Sequence, residues 1–268
     1  MRIRMGDAQL RHALSGRTVL VTGVAGATAE APAWQLAHAG AKVLVTAHPT
    51  EQVVVPACEP HEPVVRYFVD PAVPGAMREL AERVLDEHGG VDVLVHHASG
   101  PVRRAASRSR HRAREGHHLF TAHFAGPTTL IRALLPSMRT RGSAHLIAVF
   151  DAGARLPVPP WWGDHRAARA AFDAWFRGLA REARTTGVAI TGIYTGFVRS
   201  ASNEPASPLR RALGLTRSDT TGLVLDAIAR RPRQLAPWWI RPAPAAGARR
   251  VRDAPRRRRP DGVVTTGS

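Results

Sequence analysis

A chain of 268 residues with 44% apolar content is long enough for one large core or at most two small ones. It has no run of eighteen apolar residues, which excludes a membrane-spanning helix from the reading, and the charged start "MRIRMGDAQLRHALSG" lacks the apolar stretch of a secretory signal. The single cysteine, Cys58, excludes an internal disulfide, so a reducing cytoplasm is the expected compartment.

The formal charge of +17 is concentrated in two places. Residues 240–268 carry eight arginines against Asp253 and Asp261 on a Pro/Ala/Gly background, a composition that predicts a disordered tail. The stretch "PVRRAASRSRHRAREGHH", residues 101–118, carries six more. Neither cluster interleaves aromatic residues as a stacking platform for single strands does, so specific nucleic-acid binding is not expected. Lys42 is the only lysine and Asn203 the only asparagine, a skew that makes some arginines and histidines compositional replacements.

In chain order, "RTVLVTG" (17–23) is a β-branched apolar run ending at glycine, which predicts a buried strand. "TAEAPAWQLAHAG" predicts a helix closed by Gly40, and "AKVLVTA" the next strand. Residues 48–63, proline-rich and without a 3.6 period, predict a loop. Then follow strand "VVRYFVD", helix "GAMRELAERVLDEHGG", strand "VDVLVHH", a helix from about Leu119 to Met138, and strand "AHLIAVF". The segment 163–183 places Phe172, Trp175, Phe176 and Leu179 at i, i+3, i+4 and i+7, one buried stripe of a helix, and "VAITGIY" closes the series as a strand. Strands alternating with long helices predict an α/β fold, a single doubly wound parallel sheet with helices on both faces. The expected organisation is an N-terminal extension over 1–14, one domain over 15–239 and the tail.

The 163–183 helix places His165 and Arg169 four residues apart on one face of its first turns. Surface statistics alone favour two solvated polar residues. His117 and His118 read as a solvated helix start. Trp161 and Trp162 are either a stacking surface for an apolar substrate or filler over the sheet.

"VLVTGVAGATAE" follows a strand and opens a helix, the place where a dinucleotide fold brings backbone N–H groups to a pyrophosphate. With this loop the chain resembles the short-chain dehydrogenase/reductase family and its Rossmann-type fold. The T-G-x(2 or 3)-G-x-x-G loop is matched by Thr22, Gly23 and Gly26, with Ala29 in place of the last glycine. "VDVLVHHASG" resembles V-D-V-L-V-N-N-A-G, with His96 and His97 for the asparagines and Ser99 for the glycine. "GVAITGIYTGFVRS" resembles G-V-x-V-x-x-x-x-P-G-x-V-x-T, with Thr195 for the proline and Ser200 for the threonine. "PVRRAASRS" and "RRPRQLAP" resemble the branch related to bacterial fatty acyl-CoA reductases.

The resemblance implies an NAD(P)(H) site at Thr22, Gly23, Gly26, Thr28, His48, Asp70, Ala98, Arg169, Gly196, Val198 and Ser200, with NAD versus NADP open. It also implies a small-molecule carbonyl, alcohol or acyl-type substrate and a homodimer or homotetramer. The family's catalytic asparagine, serine, tyrosine and lysine fall on His123, Asp151, His165 and Arg169. Neither tyrosine, Tyr67 or Tyr194, has a lysine four residues on. Three readings follow: an oxidoreductase with altered acid-base residues, a dinucleotide-binding pseudoenzyme, and a metal site at His123, Asp151 and His165.

Overall fold

The first strand, β1 (Thr18–Thr22), is buried at every position, as its β-branched run requires between two helical layers. The computed structural model describes residues 7–23, 30–49, 64–97, 112–151, 163–195 and 215–237. Among these, β1 is followed by β2 (Lys42–Ala47), β3 (Val64–Phe68), β4 (Val93–His97), β5 (His145–Phe150), β6 (Ala189–Tyr194) and β7 (Gln234–Leu235). They form one sheet in the order β3-β2-β1-β4-β5-β6-β7, with every pairing parallel. The chain therefore reverses its direction of winding between β1 and β4, the point where open α/β sheets leave a crevice at the strands' carboxyl ends.

Alternation along the strands divides the core into two layers. Leu20, Leu44, Leu94, Leu146 and Phe150 face one side with α3 (Ala76–His88), α5 (Gly126–Thr140) and α6 (Gly163–Glu182). Val19, Val21, Val43, Val95 and Ile147 face the other with α1 (Asp7–Leu14), α2 (Glu30–His38) and α7 (Arg217–Arg230). Residues 1–14, set apart above as an extension, thus supply Leu10 and Leu14 to the second layer. None of the described helices is long and apolar enough to cross a membrane.

The helix expected from about Leu119 begins earlier. α4 (Arg112–Phe120) passes into a π-helical turn, Thr121–Ala125, and then into α5. His117 and His118 are exposed but sit in the last turn of α4, not at a helix start. The π turn is wider than an α turn, and it carries His123. Gly126 follows it because a Cβ there would stand 2.7 Å from the Pro71 carbonyl oxygen. Helix α7 starts at a capping box in which Thr216 accepts from the Asp219 amide and Asp219 accepts from the Thr216 amide.

Candidate active site

The strands' carboxyl ends bring together Thr22 and Gly23 from β1, His96 and His97 from β4, Asp151 after β5 and Thr195 after β6. Gly23 has φ +78°, and a Cβ on it would overlap the His97 carbonyl oxygen and lie 2.8 Å from the His96 ring. Only glycine permits this approach of the loop to β4. Beneath it, Thr22 Oγ1 and His96 Nδ1 are 2.9 Å apart, and the His96 ring meets Phe172 edge-on with centroids 5.2 Å apart. Burial, then His97 and Arg169, push His96 down to about 3. Burial alone pushes His97 down to about 4, and its Nε2 has no hydrogen-bond partner among the described residues. Both imidazoles are neutral at pH 7.

Helix α6 and the π turn deliver the other half of the site. The apolar stripe Phe172, Phe176 and Leu179 is buried against the sheet, with Trp175 partly buried at its margin and under the guanidinium of Arg132 at 5.5 Å. The same docking carries His165 and Arg169 inward, to 5% and 2% exposure. They are not the solvated pair that surface statistics favour. Arg169 forms an ion pair with Asp151. Its Nε and Asp151 Oδ1 are left without hydrogen-bond partners among the described residues. Burial lowers the Arg169 guanidinium to about 9, still cationic at neutral pH.

His123 and His165 meet edge to face with ring centroids 5.0 Å apart. Burial, then Arg169, His165, His96 and His118, hold His123 down at about 3. The four positions carried over from the family's catalytic residues therefore do converge. Among the described residues no group of three His, Cys, Asp or Glu could hold a metal ion. The physical reason is that Asp151, the carboxylate of the imagined set, is engaged by a guanidinium.

At the far end of the crevice His48 Nε2 lies 3.4 Å from Asp70 Oδ2, both partly exposed, and Asp70 Oδ1 accepts from the Ala72 amide at 2.9 Å. Thr195, in the place of the family's proline, is buried and ties β6 to β5 through its amide and hydroxyl, both donating to the Phe150 carbonyl. Gly26, Thr28, Ala29, Ala98, Ser99, Gly196, Val198, Ser200, Trp161 and Trp162 lie outside the described residues.

One residue of this region was missed in the sequence. Asp173, four beyond Arg169 on the same buried face, accepts from Tyr194 Oη at 2.5 Å and pairs with Arg177 at 3.2 Å. Tyr194 in turn stacks on Phe150 with centroids 5.1 Å apart. This network fastens α6 to the strands that end at Asp151 and Thr195. The readable signal was the i, i+4, i+8 spacing of His165, Arg169 and Asp173.

A parallel sheet wound on both faces, with a glycine turn at its switch point and polar side chains at its carboxyl ends, defines a Rossmann-type protein. The chain belongs to the short-chain dehydrogenase/reductase family. The profile of short chain dehydrogenases matches residues 17–210. An uncharacterized oxidoreductase of Mycobacterium tuberculosis is 28% identical over 84% of this chain and 67% of its own. A fatty acyl-CoA reductase of Acinetobacter baylyi is 27% identical over 86% of this chain and 79% of its own. Among solved structures, a short-chain dehydrogenase from Streptomyces avermitilis superposes with a TM-score of 0.68 at 26% identity, covering 83% of this chain and 88% of that one. A metagenomic short-chain oxidoreductase in complex with NADP superposes with a TM-score of 0.64 at 22% identity, covering 84% of this chain and 98% of that one.

Proposed function

We propose that the protein binds NAD(P)(H) and that carbonyl reduction at its site is slow or absent. Binding is supported at the phosphate end by Gly23, held at positive φ against β4, and at the other end by the buried donor Nε of Arg169, which has no partner of its own among the described residues. These features suit a pyrophosphate and a ribose. The bound nicotinamide supplies the hydride; this chain's residues must supply the proton and orient the substrate oxygen.

The observation that carries the reading is the Arg169–Asp151 ion pair beside His123. Asp151, ionised against a guanidinium, accepts hydrogen bonds and donates none. Arg169, engaged with Asp151, presents its charge to a carboxylate instead of lowering the pKa of a hydroxyl donor. His123 is neutral, and its conjugate acid at about 3 is too scarce at pH 7 to act as a general acid. An imidazole N–H can still polarise a carbonyl, so the expected turnover is small without being zero.

Calorimetric titration with NADPH and NADH tests binding, and a panel of aldehydes, ketones and acyl-CoA esters tests turnover. The similarity to a fatty acyl-CoA reductase supports including the thioesters. Saturable dinucleotide binding below millimolar concentration is expected, with turnover under about 1 s⁻¹. The combined variant His123→Asn, Asp151→Ser, His165→Tyr, Arg169→Lys should raise turnover at least tenfold. Reduction of any panel member by the natural sequence at about 1 s⁻¹ or more overturns the impaired-site reading. Absence of binding to either dinucleotide at millimolar concentration overturns the cofactor reading.

A further inference from the structure

The opposite end of the sheet carries a second polar cluster. Arg17 stands immediately before β1, Ser143 two residues before β5 and Arg231 three before β7, so the parallel strands gather them at their amino ends. Arg231 donates to the Ser143 carbonyl at 2.8 Å, and Arg17 donates to the same oxygen at 3.4 Å. Two guanidiniums thus share one neutral acceptor. Neither has a carboxylate partner among the described residues. Asp92, the carboxylate at this edge, is already taken by Arg141 at 3.0 Å and by the Thr18 amide at 2.8 Å.

Two further features mark the place. Arg231 adopts φ +49°, the sole positive φ of a described non-glycine residue, at a helix C-cap where glycine is the easier choice. A strained arginine persists where its side chain is needed and glycine cannot supply one. Behind the pair, His145 is fully buried, with Nε2 2.9 Å from Thr191 Oγ1 and with Nδ1 lacking a hydrogen-bond partner among the described residues. Arg231 and Arg17 both disfavour its protonation, so both lie within electrostatic range of it. Two guanidiniums held together with no carboxylate partner among the described residues favour a bound oxyanion.

The geometry points to an oxyanion site at Arg17 and Arg231 that takes a phosphate dianion, free or as a phosphomonoester. It is separate from the dinucleotide crevice, because strands of five or six residues hold the two ends of the sheet about 17 Å apart. Two guanidiniums gathered on one carbonyl offer more N–H donors than the two oxygens of a carboxylate take up, which suits the several oxygens of a phosphate.

The test is titration of the full chain with inorganic phosphate and, separately, phenyl phosphate, at ionic strength fixed with chloride. Saturable binding of one equivalent is expected for at least one of the two, and which of them binds says whether the site takes the free ion or the ester. Arg17→Gln and Arg231→Gly should each weaken that binding tenfold or more. The glycine variant keeps the left-handed cap, so an unchanged circular dichroism spectrum and melting temperature separate loss of the site from loss of the fold. His48→Ala, at the other end of the sheet, should leave it unaltered. No saturable binding by the natural sequence overturns the proposal. So does equal affinity in all variants, which would mean diffuse attraction to an arginine-rich surface. Full competition by NADPH with Arg17→Gln unaffected would place the ion in the crevice and overturn it as well.

Discussion

At Arg169 burial and charge conflict, and Asp151 resolves the conflict. A guanidinium at 2% exposure is tolerable only while its partner carboxylate is present. Asp151 itself is 34% exposed and can fall back on water. The two truncations should therefore differ. Asp151→Ala strands a buried cation and is expected to cost about 3 kcal/mol, whereas Arg169→Met refills the slot with an apolar stem and should stay within about 1 kcal/mol. Urea denaturation of both variants checks this. Equal losses would mean that the pair contributes as a surface bridge does. The sequence made His165 and Arg169 visible through their spacing, and the family resemblance made them suspect. Their burial, and the pairing of Arg169 with a residue eighteen positions earlier, were not legible, because spacing along one helix says nothing about what the helix is pressed against.

Among the elements, the passage from α4 through the π turn into α5 matters most to the site, since it carries His123 towards His165. Gly126 lets that passage close against Pro71. Replacing glycine by alanine in a helix is ordinarily stabilising by up to about 1 kcal/mol. At Gly126 the sign should reverse: a Cβ would meet the Pro71 carbonyl oxygen at 2.7 Å and the Thr121 carbonyl oxygen at 3.1 Å, so Gly126→Ala is expected to cost about 1–3 kcal/mol. Gly178 in α6 has nothing within 4 Å of an added Cβ, and Gly178→Ala should stabilise by about 0.5–1 kcal/mol. Thermal denaturation of the two variants compares them directly, and a stabilising Gly126→Ala would refute the tight approach. Strands β1, β2, β4 and β5 were legible because each is a short apolar run buried on both faces, whereas β7, two half-buried residues, is too short to show a pattern. The start of α4 was not, because an arginine-rich segment in which Leu119 is the buried side chain among the described ones has no apolar period to read. Helix α7 went unread for a similar reason, its deeply buried contacts being Val224, Ala227 and Ile228, although its capping residues Thr216 and Asp219 were in plain view.

Over the whole molecule, the histidines whose burial holds them neutral make folding depend on pH in a definite direction. His96, His123 and His145 are held down at about 3 and His97 at about 4, in each case chiefly by burial, while an unfolded chain titrates them near about 6.5. Their folded pKa values are depressed, so the unfolded state binds more protons between pH 6.5 and 4, and stability falls as pH falls through that window. Their contribution is complete above about pH 6.5. At pH 5 each costs about 2 kcal/mol relative to neutral pH, or about 8 kcal/mol for the four, which is comparable to the whole stability of an ordinary domain at about 5–15 kcal/mol. His88 is lowered in the same direction. Carboxylates confuse this comparison little, because a lowered group such as Glu87 loses its contribution only at more acid pH. The protein should therefore lose its fold between pH 6 and 4, with uptake of about four protons, as read from urea midpoints measured in steps from pH 8 to 5. His97→Asn, which removes one buried imidazole, should reduce the slope by about one proton. A stability that is flat from pH 7 to 5 would mean that these rings reach water in the folded state, and with it the neutral, proton-poor character assigned to the site would fall.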